Sequence, residues 1–213
     1  MEVWIAYCFL DRNNSERVEE LFAQLPESLQ QSVKKYQNTD DRLGRMISKL
    51  LLEILVRKII PHQNFFWHLY QKDSLSKPYL DGLEFNFSTS HNEKLAIVCA
   101  TPAGQCGIDS EVVKPINPSI YFDFLHPEEK RFLRQFENPI LPFYEIWVKK
   151  EAALKASELG ISVDLQLVDT HQELILIDKQ KYVAQPLLLS SDCITYMATN
   201  TMASIIHREE VIF

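Results

Sequence analysis

The sequence lacks a basic excess: 22 Lys and Arg stand against 29 Asp and Glu, for a formal charge of -7 over 213 residues. Sequence-independent binding to nucleic acid or to an anionic membrane needs a basic surface, so neither partner is expected, and any polyanionic ligand must be held by a local basic cluster. A long apolar run is also missing; nothing approaches the roughly 18 apolar residues of a membrane span. Met1-Glu2-Val3-Trp4 puts no basic region ahead of the short apolar run to Leu10, so no targeting segment is read and a cytoplasmic protein is expected. The four cysteines, Cys8, Cys99, Cys106 and Cys193, include no CxxC pair, and three of them sit in apolar runs. That argues against a disulfide framework and for buried, reduced thiols. No low-complexity tract interrupts the chain.

What is present is core material. Apolar residues make up 46% of the chain, with 12 Phe, 8 Tyr and 3 Trp, which argues against disorder. Val3, Ile5, Tyr7 and Phe9 alternate as in a strand with one buried face. Ser15 is placed to cap a helix striped by Val18, Leu21, Phe22 and Leu25 and stopped near Pro26. Leu43, Ile47, Leu50, Leu51 and Ile54 mark a longer helix ended by Pro61. Strand-like runs follow at Asn64 to Tyr70, Leu83 to Phe87 and Leu95 to Ala100. After Pro102 and Gly104 the order returns: a strand at Cys106 to Val113, a short helix at Pro127 to Phe136, and a long helix at Pro142 to Leu159 closed by Gly160. Further strand-like runs lie at Ser162 to Val168, Glu173 to Ile177, Cys193 to Ala198 and Met202 to His207. Helix followed by strands, repeated at an offset of about 100 residues, suggests two similar α+β halves, 1–103 and 104–213.

Asp109 and Glu111 are two apart in Gly107-Ile108-Asp109-Ser110-Glu111, so on a strand both carboxylates share one face and Ile108, Ser110 and Val112 the other. Like charges side by side repel unless a positive group stands between them, and apolar flanks make bare anions costly. Trp147, Glu151 and Lys155 are spaced i, i+4, i+8 on one helix face, where the large indole indicates a covered surface. A solvated strand face and a surface i, i+4 ion pair are the plain alternatives. The all-oxygen set Asp109, Glu111 and Glu151 suits a hard cation such as Mg2+, and no His or Cys pattern asks for zinc. The chemistry suggested is metal-assisted work on a phosphate.

Gly107-Ile108-Asp109-Ser110-Glu111 and Trp147-Val148-Lys149-Lys150-Glu151-Ala152-Ala153-Leu154-Lys155 together resemble the two signatures of the 4'-phosphopantetheinyl transferases, G-[IV]-D-x-E and W-x-x-K-E-[AS]-x-x-K, in order and about 40 residues apart. Lys77-Pro78, Phe85-Asn86-Phe87-Ser88 with Ser90-His91, Arg45 to Leu51, and Phe124 to Glu129 are similar to further elements of the Sfp-type branch. The family usually places Ser-His directly after Asn-x. Here Ser88-Thr89 holds that place and Ser90-His91 comes two residues later, so either the loop is longer or Thr89 replaces the histidine.

The resemblance implies two similar α+β halves in a pseudo-twofold arrangement, with the active site in the cleft between them. The N-terminal half would bind the nucleotide end, and the C-terminal half would carry the metal and catalytic residues. It implies Mg2+, with Mn2+ as a substitute, on Asp109, Glu111 and Glu151, with Glu151 and Lys155 catalytic. Arg45, Lys77, Ser90, His91, Lys34 and Lys35 would hold coenzyme A, the substrate. The implied partner is an acyl or peptidyl carrier protein of fatty-acid, polyketide or nonribosomal-peptide synthesis, and the enzyme is expected to be a monomer. Two rivals remain: a metal-dependent phosphohydrolase or nuclease, and a divalent-ion-binding scaffold without turnover.

Overall fold

The computed structural model describes residues 1–13, 15–63, 66–72 and 77–213, leaving aside the side chains of Arg12 and Ile161. The first half runs β1 (Glu2–Phe9), α1 (Ser15–Phe22), α2 (Glu27–Lys34), α3 (Thr39–Ile59), β2 (Tyr70–Lys72), β3 (Pro78–Leu80), β4 (Asn86–His91) and β5 (Leu95–Thr101). The second runs β6 (Cys106–Val112), α4 (Pro127–Leu133), α5 (Ile140–Ser157), β7 (Leu174–Ile177), β8 (Gln180–Pro186), β9 (Cys193–Thr199) and β10 (Ile205–Glu210). None of the described helices is long and apolar enough to cross a membrane, and all four cysteines are buried free thiols.

The fold is α+β, with two four-stranded sheets ordered β10-β1-β5-β4 and β6-β9-β8-β7 and a small β2-β3 ribbon. The two sheets repeat one pattern. The first strand of each half pairs antiparallel with that half's β5 or β9, which pairs antiparallel with the strand before it. Strand β10 breaks the symmetry and crosses the boundary drawn at 103/104, because it pairs parallel with β1, joining Glu2 to Ile205 and Tyr7 to Glu210. Being interior, β1 is enclosed on both faces at its centre: Ala6 and Cys8 are as buried as Val3 and Ile5, while Tyr7 and Phe9 are part-exposed.

Four layers result. Helix α3 covers one sheet with Ile47, Leu51 and Leu55 against Ala6, Cys8 and Val98. The two sheets meet through Val3, Ile5, Leu95 and Ile97 on one side and Cys106, Ile108 and Met197 on the other. Helix α5 covers the second sheet with Ala152, Ala153 and Ala156 against Ile175, Tyr182 and Ala198. Asn38 caps α3 by accepting the Asp41 N–H at 2.9 Å, and the helix stops two residues before Pro61.

Several sequence expectations are corrected. Ser15 is already helical, and position 14, where a cap would stand, lies outside the described residues. In the run Asn64 to Tyr70, the first two residues are likewise outside the description, and Phe66–Leu69 form a 3-10 turn. Short apolar runs do not distinguish these states by periodicity alone. Ser162 to Val168 is not a strand: Gly160–Ser162 and Leu165–Leu167 are 3-10 turns, the second capped by Asp164. The left-handed residue closing α5 is Glu158, at φ 65°, ahead of Gly160. Strands β3 and β8 and helix α2 carried no sequence expectation, and the run predicted from Met202 begins at Ile205.

Candidate active site

Strand β6 and helix α5 touch at the glycine of the first signature. A Cβ on Gly107 would stand 2.1 Å from the Ala152 carbonyl oxygen and 2.4 Å from the Ala156 nitrogen, both backbone atoms that cannot yield. This close approach brings the carboxylates of β6 to the face of α5 that carries Glu151 and Lys155. Lys155 Nζ donates to Asp109 Oδ1 at 2.6 Å and to the Ile108 carbonyl at 3.3 Å. Its pairing is therefore with Asp109 across the junction rather than with Glu151 on its own helix. Trp147 lies under a cover of Tyr121 and Phe124 and stacks on Phe143, as a buried indole face requires.

A second strand closes the site. Strand β4 runs beside β6, and its serines stitch the two together: Ser88 Oγ accepts the Ile108 N–H and Ser90 Oγ the Ser110 N–H, both at 3.2 Å. Ser90 also donates to Asp109 Oδ1 at 3.0 Å. Asp109 Oδ2, by contrast, is buried with no hydrogen-bond partner. Burial, then the Asp109 charge, pushes the Glu111 carboxyl up to about 7, and the same two causes raise Glu151. For Lys155 burial opposes the charge, but Asp109 and Glu151 more than offset it and hold the ammonium above its ordinary range. Among the described residues, no three Asp, Glu, His or Cys side chains converge as a ready metal-ligand set. The donor chemistry nevertheless fits a hard cation: Asp109 keeps one orphaned buried oxygen, its charge raises the carboxyls of Glu111 and Glu151, and Lys155 is the ammonium that pairs with it.

Glu151 and Lys155 open onto a cavity of about 620 Å³ whose other walls include Lys77, Thr89, Phe124 and Leu165. Lys77 Nζ sits 3.1 Å from Glu158 Oε1, and Asn86 donates to the same oxygen at 2.6 Å, so both contacts cross the cleft. A smaller hollow of about 70 Å³ lies on the α3 side, lined by Lys35, Arg45, Lys49, Lys72, Thr89 and His91 among others. Arg45 lies 3.7 Å above the Tyr36 ring and bonds Asp41, which also meets His91 Nε2 at 2.8 Å. Burial holds His91 below the usual imidazole range against the pull of Asp41.

The structure thus unites Asp109, Glu111, Glu151, Lys155 and Ser90 at one junction, and Arg45, Lys35 and His91 around the hollow. Lys77 stands in the large cavity instead, and Lys34 points away, bonded to Gln30 on an exposed face. Thr89 lines both spaces and His91 only the smaller. Lys72 and Asp41 carry no sequence expectation, and Lys49 lies in the Arg45 to Leu51 segment without being among the expected site residues. Burial, then Lys72 and Arg45, lowers Lys49 to about 8, and its ammonium donates to the Tyr70 hydroxyl at 2.6 Å. The i, i+4 spacing from Arg45 on α3 was the signal available for it.

Residues 105–188 match the family model of the 4'-phosphopantetheinyl transferase superfamily. The chain is 28% identical to the 4'-phosphopantetheinyl transferase gsp of Aneurinibacillus migulanus, over 71% of this chain and 64% of that protein. It is 28% identical to the 4'-phosphopantetheinyl transferase Sfp of Bacillus subtilis, over 78% and 75% respectively. Against the mouse L-aminoadipate-semialdehyde dehydrogenase-phosphopantetheinyl transferase the identity is 27%, over 61% of this chain and 50% of the relative. The chain thus spans between half and two thirds of the length of the first and third of these relatives.

Proposed function

We propose, from its 4'-phosphopantetheinyl transferase superfamily domain at residues 105–188, that this protein transfers the 4'-phosphopantetheine arm of coenzyme A to a serine of an acyl or peptidyl carrier protein. The observation that carries the reading is the Asp109–Lys155 pair at 2.6 Å, set between Glu111 and Glu151 beside a cavity of about 620 Å³. It is a site rich in anions yet open to a phosphate ester, which calls for a cation from outside the chain.

The serine oxygen of the carrier forms a bond to the β-phosphorus of coenzyme A as the bond from that phosphorus to the bridging oxygen breaks. The bridging oxygen leaves with 3',5'-ADP. Glu151 faces the cavity with a raised carboxyl and is the base that takes the hydroxyl proton, directly or through a water. Lys155 keeps about a third of its side chain open, at 32%, and meets the charge that develops on the transferring phosphate. Asp109, Glu111 and Glu151 would hold Mg2+, or Mn2+ in its place, which when bound neutralises pyrophosphate charge as the bridge breaks. Lys35, Arg45, Lys49, Lys72 and His91 form the local basic cluster that a phosphorylated nucleotide needs on an acidic protein, with Tyr36 beside it. Lys77 adds positive charge from the larger cavity.

Release of 3',5'-ADP tests the reading and separates it from a phosphohydrolase. With coenzyme A and Mg2+, release is expected only when an apo carrier protein is present. Release without a carrier would make the protein a hydrolase, and no release in either case would leave a scaffold.

A further inference from the structure

We infer that Lys150, next to Glu151 in the second signature, is a positioning residue: a buried clamp that fixes one wall of the large cavity and does not touch the substrate. The inference rests on the transferase reading for its kinetic meaning. Lys150 leaves α5 on a different side from Glu151 and Lys155, one residue being about 100° of helix turn. Its side chain is 1% exposed and that of Glu129, its ion-pair partner at 2.8 Å, 0%. An ammonium has three protons. Three acceptors take them: Glu129 Oε2 at 2.8 Å, the Leu165 carbonyl at 2.8 Å and the Val168 carbonyl at 2.7 Å, with the Phe124 carbonyl farther off at 3.4 Å. No donor remains for a phosphate.

Glu129 is equally committed. Its Oε1 accepts the Thr170 N–H at 2.8 Å and the Thr170 hydroxyl at 2.7 Å, and its Oε2 accepts the His126 N–H at 2.8 Å. One ion pair therefore ties together the start of α4, the middle of α5 and the segment 165–170. The tied segments carry cavity walls: Phe124 on one side, and Val163, Asp164, Leu165 and Gln166 on the other. Stability alone does not account for it, since well-packed apolar residues commonly replace a buried ion pair at no cost. What apolar residues cannot supply is the directed bond to each of two carbonyls in a turn that has no strand partner. Leu165 and Val168 lie in and just after that 3-10 turn, Leu165–Leu167.

Lys150→Met and Thr170→Val test the clamp; Thr170 is part of the network but does not line the cavity. Both variants are expected to raise KM for coenzyme A, Lys150→Met by about tenfold and Thr170→Val by less, with kcat held within about threefold. A fall in kcat on the order of 10² at unchanged KM in Lys150→Met would show a catalytic contact and overturn the inference. If Lys150→Met does not fold, Thr170→Val decides alone: unchanged KM overturns the positioning role. Amide hydrogen exchange is the second readout and needs no turnover, so it stands even if the protein fails to modify any carrier. Thr170→Val should speed exchange over residues 118–125 and 159–169 and leave β6 and β9 unchanged. Unaltered exchange in those two segments would remove the clamp itself.

Discussion

Lys155 reaches Asp109 at 2.6 Å while part of its side chain faces the cavity, a position that serves a phosphate better than a surface salt bridge. Lys155→Met is expected to lower kcat on the order of 10² or more, with a smaller effect on coenzyme A binding, because the interaction strengthens in the transition state. Lys155→Arg should rescue only part of the rate, since a planar fork does not replace a compact ammonium. Steady-state kinetics on a carrier decide it, and a near-parental kcat in Lys155→Met would take the residue off the catalytic list. Glu111 adds a pH dependence. Its carboxyl titrates at about 7 in the fold against 4.5 ordinarily, so between those values the folded protein holds a proton that the unfolded chain has released. Metal-free stability therefore falls as pH rises through that window, and Mg2+ should restore it above the window. Glu111→Gln removes the penalty, so its metal-free melting temperature near pH 8 should exceed the parent's by roughly 2–4 °C per kcal/mol relieved. A variant that melts lower there would show that Glu111 is paired rather than crowded.

At the scale of elements, the placement of the site depends on how closely β6 lies on α5. Gly107→Ala would force a Cβ into backbone at 2.1 Å, and a cost of about 3 kcal/mol or more is expected, at or beyond the usual range for overpacking. Thermal melting and carrier turnover should fall together; a stable, active Gly107→Ala enzyme would show that the two elements part without consequence. This junction was legible in the sequence because each of its halves is local. Asp109 and Glu111 share a strand face by a period of two, and Glu151 and Lys155 share a helix face by i, i+4. The basic hollow was not legible to the same degree. Lys49 and Arg45 come from α3, Lys72 from β2, and His91 and Thr89 from β4, and no local period links one of these elements to the next. The register of His91 was likewise left open, and the strand puts Thr89 and His91 on one face with both reaching the hollow. The stretch 162–168 has a strand-like pattern in sequence but includes 3-10 turns, and its Leu165 and Val168 carbonyls are satisfied by the Lys150 side chain rather than by a neighbouring strand.

For the whole molecule, the two sheets of one chain meet face to face, strands β4 and β6 are joined by Ser88 and Ser90, and residues of β4 and α5, one from each half, line the same cavity. A single copy therefore holds every residue assigned to the reaction, and sedimentation is expected to show a monomer that remains active; an obligate oligomer would contradict this. The parallel pairing of β10 with β1 also binds the last strand of the chain to the first, which no reading of either half by itself could supply. The central claim is that these two halves together move a phosphopantetheine arm. Its most direct test is the intact mass of an apo carrier protein after incubation with this protein, coenzyme A and Mg2+. The expected result is a gain of one 4'-phosphopantetheine group, abolished by chelator and by Ser→Ala at the acceptor position of the carrier. A carrier that keeps its mass across a panel of fatty-acid, polyketide and peptide carriers, while the protein is folded and Mg2+ is present, would contradict it.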